Sequence, residues 1–339
     1  MNRSHDEIAD AVDAIAQENG LSGAIRVDLD GQLVHQQAYG LADRRFGIAN
    51  TVDHQFGIAS GTKTLTALAV MTCIERGELT LDQPARPLLG SDLPLIDERV
   101  TIEHLLTHQS GIGDYFDEEL VADNEDYVMT IPVHRLDTTE HYLPALDGYP
   151  QKFAPGDRFA YSNAGYVVLA LLAERATSTT FHDLVDMRVC RPAGMTATAF
   201  LRSDELPARA ATGYLHDDGL RSNIIHLPVR GNGDGGAYTT LADCSALWAA
   251  FLAGRIVSPM TVDEMVRPYA GATDDPARYG LGLWLDDPAG TLSLHGFDAG
   301  VGFVSVHDRA GAFTCTVMSN QTRGAWPVSQ RLATLLGTS

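Results

Sequence analysis

Residues 60–76 read SGTKTLTALAVMTCIER, a serine and a lysine three positions apart at the head of an apolar run. The run predicts a helix that stops at Gly77, since glycine just past the last periodic residue ends a helix. Positions i and i+3 share a helix face, so Ser60 and Lys63 point the same way. A serine at the helix start also meets the positive end of the backbone dipole, which favours a developing oxyanion. The chain has 16 serines and only two lysines, Lys63 and Lys152, among 24 basic residues. Random placement gives roughly 0.1 Ser-x-x-Lys match. Lysine rather than arginine matters here, because a buried ammonium can lose its proton and a guanidinium effectively cannot. A capping serine followed by a solvated lysine has the same spelling, so the pattern needs partners elsewhere.

Upstream, Ser4 with Glu7 spells a capping box, with Ile8, Val12 and Ile15 following at helical spacing. Residues 22–40 read as a β-hairpin turned at Asp30-Gly31. From about 80 to 205 the patterns are mostly helical between Pro- and Gly-rich connectors, clearest at Thr101–His108 and Ala164–Ala176. Downstream, LGLWL, TLSLHG, GFVSVHD and AFTCTVMSN are short β-type runs, and a helix around 327–336 follows. The expected class is α+β: an antiparallel sheet made by both ends of the chain and flanked by helices, with a mainly helical insertion. Residues 1–80 and 206–339 would form the sheet subdomain and 81–205 the helical one, with the active site in the cleft between them.

Two further elements could supply chemistry. Tyr161-Ser162-Asn163 follows the turn-forming Ala154-Pro155-Gly156-Asp157 and precedes the helical run AGYVVLALLAERA. A tyrosine beside a lysine can be pushed toward phenolate and take a serine proton. His295-Gly296-Phe297 ends a β-type run, where a strand edge can offer backbone N–H groups to a carbonyl oxygen. Taken singly, these are also a packed aromatic and a strand terminus.

In this order the three elements resemble the penicillin-recognising serine hydrolases, a group spanning serine β-lactamases, DD-peptidases, and related esterases and D-amino-acid amidases or peptidases. Tyr161-x-Asn163 is similar to the Tyr-x-Asn motif of the branch related to class C β-lactamases and family VIII esterases. His295-Gly296-Phe297 stands where that group has Lys-Thr-Gly or His-x-Gly. The stretches TIEHLLTHQSGI, GGAYTTLADCSALWAAFLAG and YGLGLWL also look familial, so the resemblance runs from about 20 to 320. It implies a β-lactamase/transpeptidase-like fold and an acyl-enzyme on Ser60, with Tyr161 and Lys63 accepting the serine proton. It further implies an oxyanion hole from the N–H groups of Ser60 and Asp298, and Asn163 against the substrate's amide or the lysine. No cofactor or metal is implied.

The third motif departs from that pattern. His295 replaces a permanent cation, Gly296 deletes a hydroxyl, and Phe297 adds bulk. Recognition of a substrate carboxylate is therefore expected to be weakened while Ser60 chemistry persists. Residues 114–126 (DYFDEELVADNED) carry seven acidic residues. They read either as a solvated loop or as a cleft border that favours cationic substrates. The resulting order of activities is carboxylesterase, then D-amino-acid amidase or aminopeptidase, then β-lactamase or DD-peptidase. A catalytically silent ligand-binding scaffold is the alternative outside enzymes.

The remaining signals exclude more than they suggest. His104 and His108 have a zinc-compatible spacing, but no glutamate lies between them to activate water. Gly231-Asn-Gly-Asp-Gly-Gly236 satisfies GxGxxG without a convincing βαβ context. No Gly-x-Ser-x-Gly occurs, which argues against an α/β-hydrolase elbow. Cys73, Cys190, Cys244 and Cys315 are far apart and read as small buried hydrophobes. A net charge of −20 disfavours nucleic acid as a partner. No run approaches a membrane span, and the N-terminus has no apolar signal core. The expectation is a cytoplasmic enzyme acting on a small-molecule ester or amide, away from membranes and of open oligomeric state.

Overall fold

The computed structural model describes residues 4–120, 127–269, 277–286 and 290–337 of the 339. Helix α1 (His5–Glu18) opens with the expected capping box, Ser4 and Glu7 each accepting the other's backbone N–H. Strands β1 (Gly23–Leu29) and β2 (Gln32–Tyr39) form a hairpin, with Asp30 and Gly31 at φ 48° and 74°. Positive φ at both turn residues matches the right-handed twist of the strands they join.

After Ser60 comes α2 (Thr62–Glu75), and further along the chain α3 (Asn163–Thr177) and α4 (Leu241–Leu252). Both α2 and α3 are buried on every side over most of their length, from Thr62 to Cys73 and from Asn163 to Ala173. Helices apolar all round belong inside a core. Each fully buried leucine, such as Leu68 and Leu171, contributes about 1.5–3 kcal/mol.

Strands β3 (Ala277–Tyr279), β4 (Trp284–Asp286), β5 (Thr291–Asp298), β6 (Val301–Asp308) and β7 (Phe313–Ser319) complete one antiparallel sheet ordered β2-β1-β7-β6-β5-β4-β3. Helix α5 (Ala325–Leu336) closes the described chain. The pleat sorts residues between two cores. Ala24, Phe303 and Met318 face the large core with α2 and α3, whereas Ile25, Val304 and Val317 face a smaller one with Val12 of α1 and Val328 of α5. Strands from both the early and the late part of the sequence thus build the sheet, in the expected α+β arrangement.

Two stretches differ from their sequence patterns. Between 80 and 205, α3 is the only long unbroken α-helix among the described residues; Phe181–Val185, Asp186–Cys190 and Arg191–Ala193 run on as one irregular helix with a π turn in its middle, and the others are pieces of three to five residues. Their apolar residues dock onto α2 and α3 rather than repeating along a helix of their own. In LGLWL the strand begins only at Trp284. Before it, Gly282 at φ 90° lies against α2, where a Cβ would come within 2.2 Å of the Ala67 methyl, and Thr64 donates to its carbonyl at 2.6 Å.

Candidate active site

Ser60 lies in a single 3-10 turn, Ala59–Gly61, ahead of α2. Ala59 adopts φ 42°, a left-handed conformation that costs a non-glycine residue about 1 kcal/mol or more. The turn is pinned by Ile58 N–H donating to Ala237 O at 2.9 Å and Gly61 N–H donating to Ile58 O at 2.8 Å. Strand β5 runs directly against it. A Cβ on Gly296 would stand 1.9 Å from Ile58 O, so the close approach of β5 to the serine turn requires glycine.

Lys63, only 2% exposed, donates from Nζ to Ser60 Oγ at 2.9 Å, Asn163 Oδ1 at 2.7 Å and Asp234 O at 2.7 Å. Three acceptors satisfy all three hydrogens of an ammonium. Burial nevertheless pulls its pKa down, against the opposing pull of Asp234 and Glu118. Asn163 is held in turn, its Nδ2 donating to Phe116 O and to Glu118 Oε1, both at 3.0 Å.

Tyr161 lies beside Ser60, close enough for that side chain to act on its hydroxyl, and its ring centre is 4.8 Å from Lys63 Nζ. The sequence-based expectation of a lysine-driven phenolate is corrected here. Burial first, then the Glu118 carboxylate, hold the Tyr161 hydroxyl well above its ordinary pKa. In the resting site the phenol is neutral, and Lys63 is the group pushed toward losing a proton.

The backbone around Tyr161 is fixed from the 108–114 segment. Ala160 N–H donates to His108 O at 2.8 Å and Ser162 N–H to His108 Nδ1 at 3.0 Å. The Asp114 carboxylate accepts from Ser162 Oγ and from Ala164 N–H, tying the start of α3 to the same segment. The Tyr161 ring lies between His108, 4.4 Å away centre to centre, and Trp284, 6.1 Å away at 12°. Because the phenol is gripped on both faces, its hydroxyl reaches Ser60 with little freedom.

The loop 231–236, whose spelling matched GxGxxG, forms the floor beside Lys63. Its Asp234 carbonyl accepts from Lys63, and its Gly233 carbonyl accepts from Thr66 Oγ1 at 2.7 Å. A Cβ on Gly233 would sit 2.1 Å from Tyr166 O, so these glycines serve close packing. The Asp234 carboxyl, half-buried at the cleft, accepts a hydrogen bond from Tyr115.

The cleft above Ser60 encloses about 930 Å³, its open mouth included. Of the sequence candidates, Ser60, Asn163 and Asp298 line it, and Lys63 and Tyr161 meet Ser60 from below and beside. Phe297 lines it as well, so its bulk does narrow the cleft. His295 lies elsewhere, between Trp284 at 6.0 Å and Trp326 at 5.0 Å, and Gly296 contributes backbone only.

Of the acidic segment, Tyr115, Phe116 and Tyr127 face the cleft, and Glu118 reaches Asn163. Asp117 is instead paired with Lys152 at 2.7 Å. Residues 121–126, with Asp123, Glu125 and Asp126, lie outside the described residues. Asp234 was missed from sequence: one acid among four glycines and an asparagine carries no signal of its own. The zinc-like pair comes apart: the His104 ring caps Thr101 N–H on the short helix Ile102–Leu106, while His108 lies past its end at φ 57°.

A third histidine supports the floor loop. His182 Nε2 bonds Gly231 O at 2.8 Å, and burial brings its pKa down to about 4. The unfolded-state pKa is about 6.5, so the stability of burying the neutral ring is fully present above pH 6.5 and drains away as pH falls toward 4. His182→Asn removes the titrating ring. Its unfolding free energy, from urea titration, should fall less than the wild type's between pH 7.5 and 5.0, by about 1–2 kcal/mol. An identical fall in both proteins would show that His182 does not titrate this way.

The chain matches the family described as Beta-lactamase over residues 8–336. It is 38% identical over 216 residues to esterase EstB of Burkholderia gladioli, covering 61% of this chain and 54% of that protein. It is 30% identical to a D-aminopeptidase of Brucella anthropi, covering 82% of this chain and 51% of that one. The chain thus spans about half the length of these two relatives. The structure of a penicillin-binding protein from Bacillus halodurans superposes with a TM-score of 0.89 at 35% identity, covering 96% of this chain and 99% of that one.

Proposed function

The chain belongs to the beta-lactamase family, and on that footing we propose that it is a serine hydrolase, a carboxylesterase working through an acyl-enzyme on Ser60. Ser60 Oγ attacks the ester carbonyl while its proton passes to Lys63 Nζ, 2.9 Å away. The C–O bond to the alcohol then breaks. The leaving oxygen takes a proton from the Tyr161 hydroxyl, which regains one from the Lys63 ammonium beside its ring. Water attacks the acyl carbon in the second half, the bond to Oγ breaks, and Ser60 recovers its proton. The N–H groups of Ser60 and Asp298 are the candidate oxyanion donors.

One observation carries the choice of substrate. Phe116, Met129, Leu227, Val229 and Phe297 line the cleft, and no lysine or arginine joins them among the described lining residues. An uncharged acyl group suits such walls. Amide hydrolysis on amine-bearing substrates is the second reading. It is supported by Glu118, whose carboxylate bonds Asn163 at the cleft's edge, and by the D-aminopeptidase relative.

The test compares wild-type turnover of p-nitrophenyl butyrate with that of D-alanine p-nitroanilide, with a fluorophosphonate to mark the nucleophile. Ester turnover exceeding anilide turnover by at least about a hundredfold, with the label on Ser60, is the expected result. Faster anilide turnover would give precedence to the amidase reading. A label on another serine would remove the Ser60 mechanism.

A further inference from the structure

We propose that the Asp298 side chain is the specificity-determining group of the cleft, barring acyl groups that carry a carboxylate and accepting a hydrogen bond from those that carry a donor. The inference deepens the ester-hydrolase reading and rests on it. Asp298 ends β5, two residues beyond the Gly296 whose backbone touches the Ser60 turn, and its side chain lines the same cleft as Ser60. One carboxylate oxygen, Oδ1, accepts from Ala299 N–H at 2.8 Å, which fixes the group's direction. Oδ2 has no hydrogen-bond partner among the described residues, so one acceptor is left for a ligand.

The surroundings make this carboxylate selective. Lys63, the cation that acts on Asp298, has its donors taken by Ser60, Asn163 and Asp234. The other charged groups that act on Asp298 are the carboxyls of Asp234 and Glu118. An incoming carboxylate would meet three acids and apolar walls, with no lysine or arginine among the described lining residues, and desolvated like charges repel. An ammonium or hydroxyl on the acyl chain would instead meet an oriented acceptor. Burial, reinforced by Asp234 and Glu118, pushes Asp298 up to about 7, so a test at pH 8.5 examines its anion.

The experiment uses three p-nitrophenyl esters of matched length: hexanoate, the mono-ester of adipate, and 6-aminohexanoate. For the wild type, kcat/KM is expected to be at least about tenfold lower for adipate than for hexanoate. In Asp298→Asn, which keeps an oxygen for Ala299 N–H, the adipate-to-hexanoate ratio should rise at least about tenfold and the 6-aminohexanoate-to-hexanoate ratio should fall. Asp298→Ser should move both ratios in the same directions. Ratios unchanged in both folded variants would overturn the proposal. Should the wild type turn over none of the three, the ester reading fails on its own. The selectivity is then read from the rate at which Ser60 is labelled by neutral and carboxylate-bearing alkylphosphonates, where equal rates for wild type would likewise overturn it.

Discussion

Ser60→Ala is expected to lower kcat/KM for a p-nitrophenyl ester by about 10,000-fold or more, while the melting temperature stays within a few degrees of wild type. The size follows from the chemistry. Without Oγ no acyl-enzyme forms, and water would have to attack directly with only the oxyanion donors and substrate binding to help. The small stability change follows from the packing. Ser60 is half-buried and its hydroxyl meets Lys63 and Tyr161, whereas the turn itself is held by backbone bonds and by Gly61 against Phe303. Steady-state kinetics and thermal unfolding on the same preparations check both statements. A folded variant retaining more than about a tenth of wild-type activity would exclude Ser60 as the nucleophile.

Lys63→Arg is the second large effect, a loss of about 1,000-fold despite conservation of charge. A guanidinium cannot surrender a proton in this site. Its planar fork also cannot reach the three acceptors that surround Nζ at 2.7–2.9 Å. Tyr161→Phe, which removes one hydroxyl and keeps the ring between His108 and Trp284, should cost about 100- to 10,000-fold. The wild-type pH profile separates the two groups. Lys63 must be neutral to act as base and its pKa is depressed, so kcat/KM should rise with pH on a limb below the usual lysine range. That limb should be absent from Lys63→Arg. Near-wild-type activity in Lys63→Arg would assign the base to another group.

The features legible in the sequence were those that repeat or are rare. Apolar periodicity marked α1, α3 and α5, and the Asp-Gly pair marked the β1–β2 turn, because local sterics decide both. Ser60, Lys63, Tyr161 and Asn163 could be named because a lysine in a chain that uses arginine elsewhere stands out. Asp234, Glu118 and His108 stood in stretches that drew notice, but their roles could not be read. Each acts through a contact with a residue dozens of positions away, as Asp234 does with Tyr115 and Glu118 with Asn163. The direction of the Tyr161 shift was misjudged for the same reason. Proximity to Lys63 was visible, but burial and the Glu118 carboxylate, which outweigh it, belong to the folded state alone. His295 was named from its place in a motif, yet the strand's pleat and Trp326 decide where its ring goes.

The order of strands also bears on how the chain comes together in time. β1 hydrogen-bonds to β7 along its full length, Gly23 opposite Ser319 and Leu29 opposite Phe313. During synthesis the first hairpin therefore emerges long before its neighbour exists, with one edge of β1 open and Ile25 and Val27 lacking the strand and helix that bury them. A loop of this length is slow to close, and an open edge is an invitation to pair with another chain. The nascent protein must keep that hairpin soluble until β7 has been added, so the serine turn, held in place by β5 and the sheet behind it, becomes active only after β7 has formed.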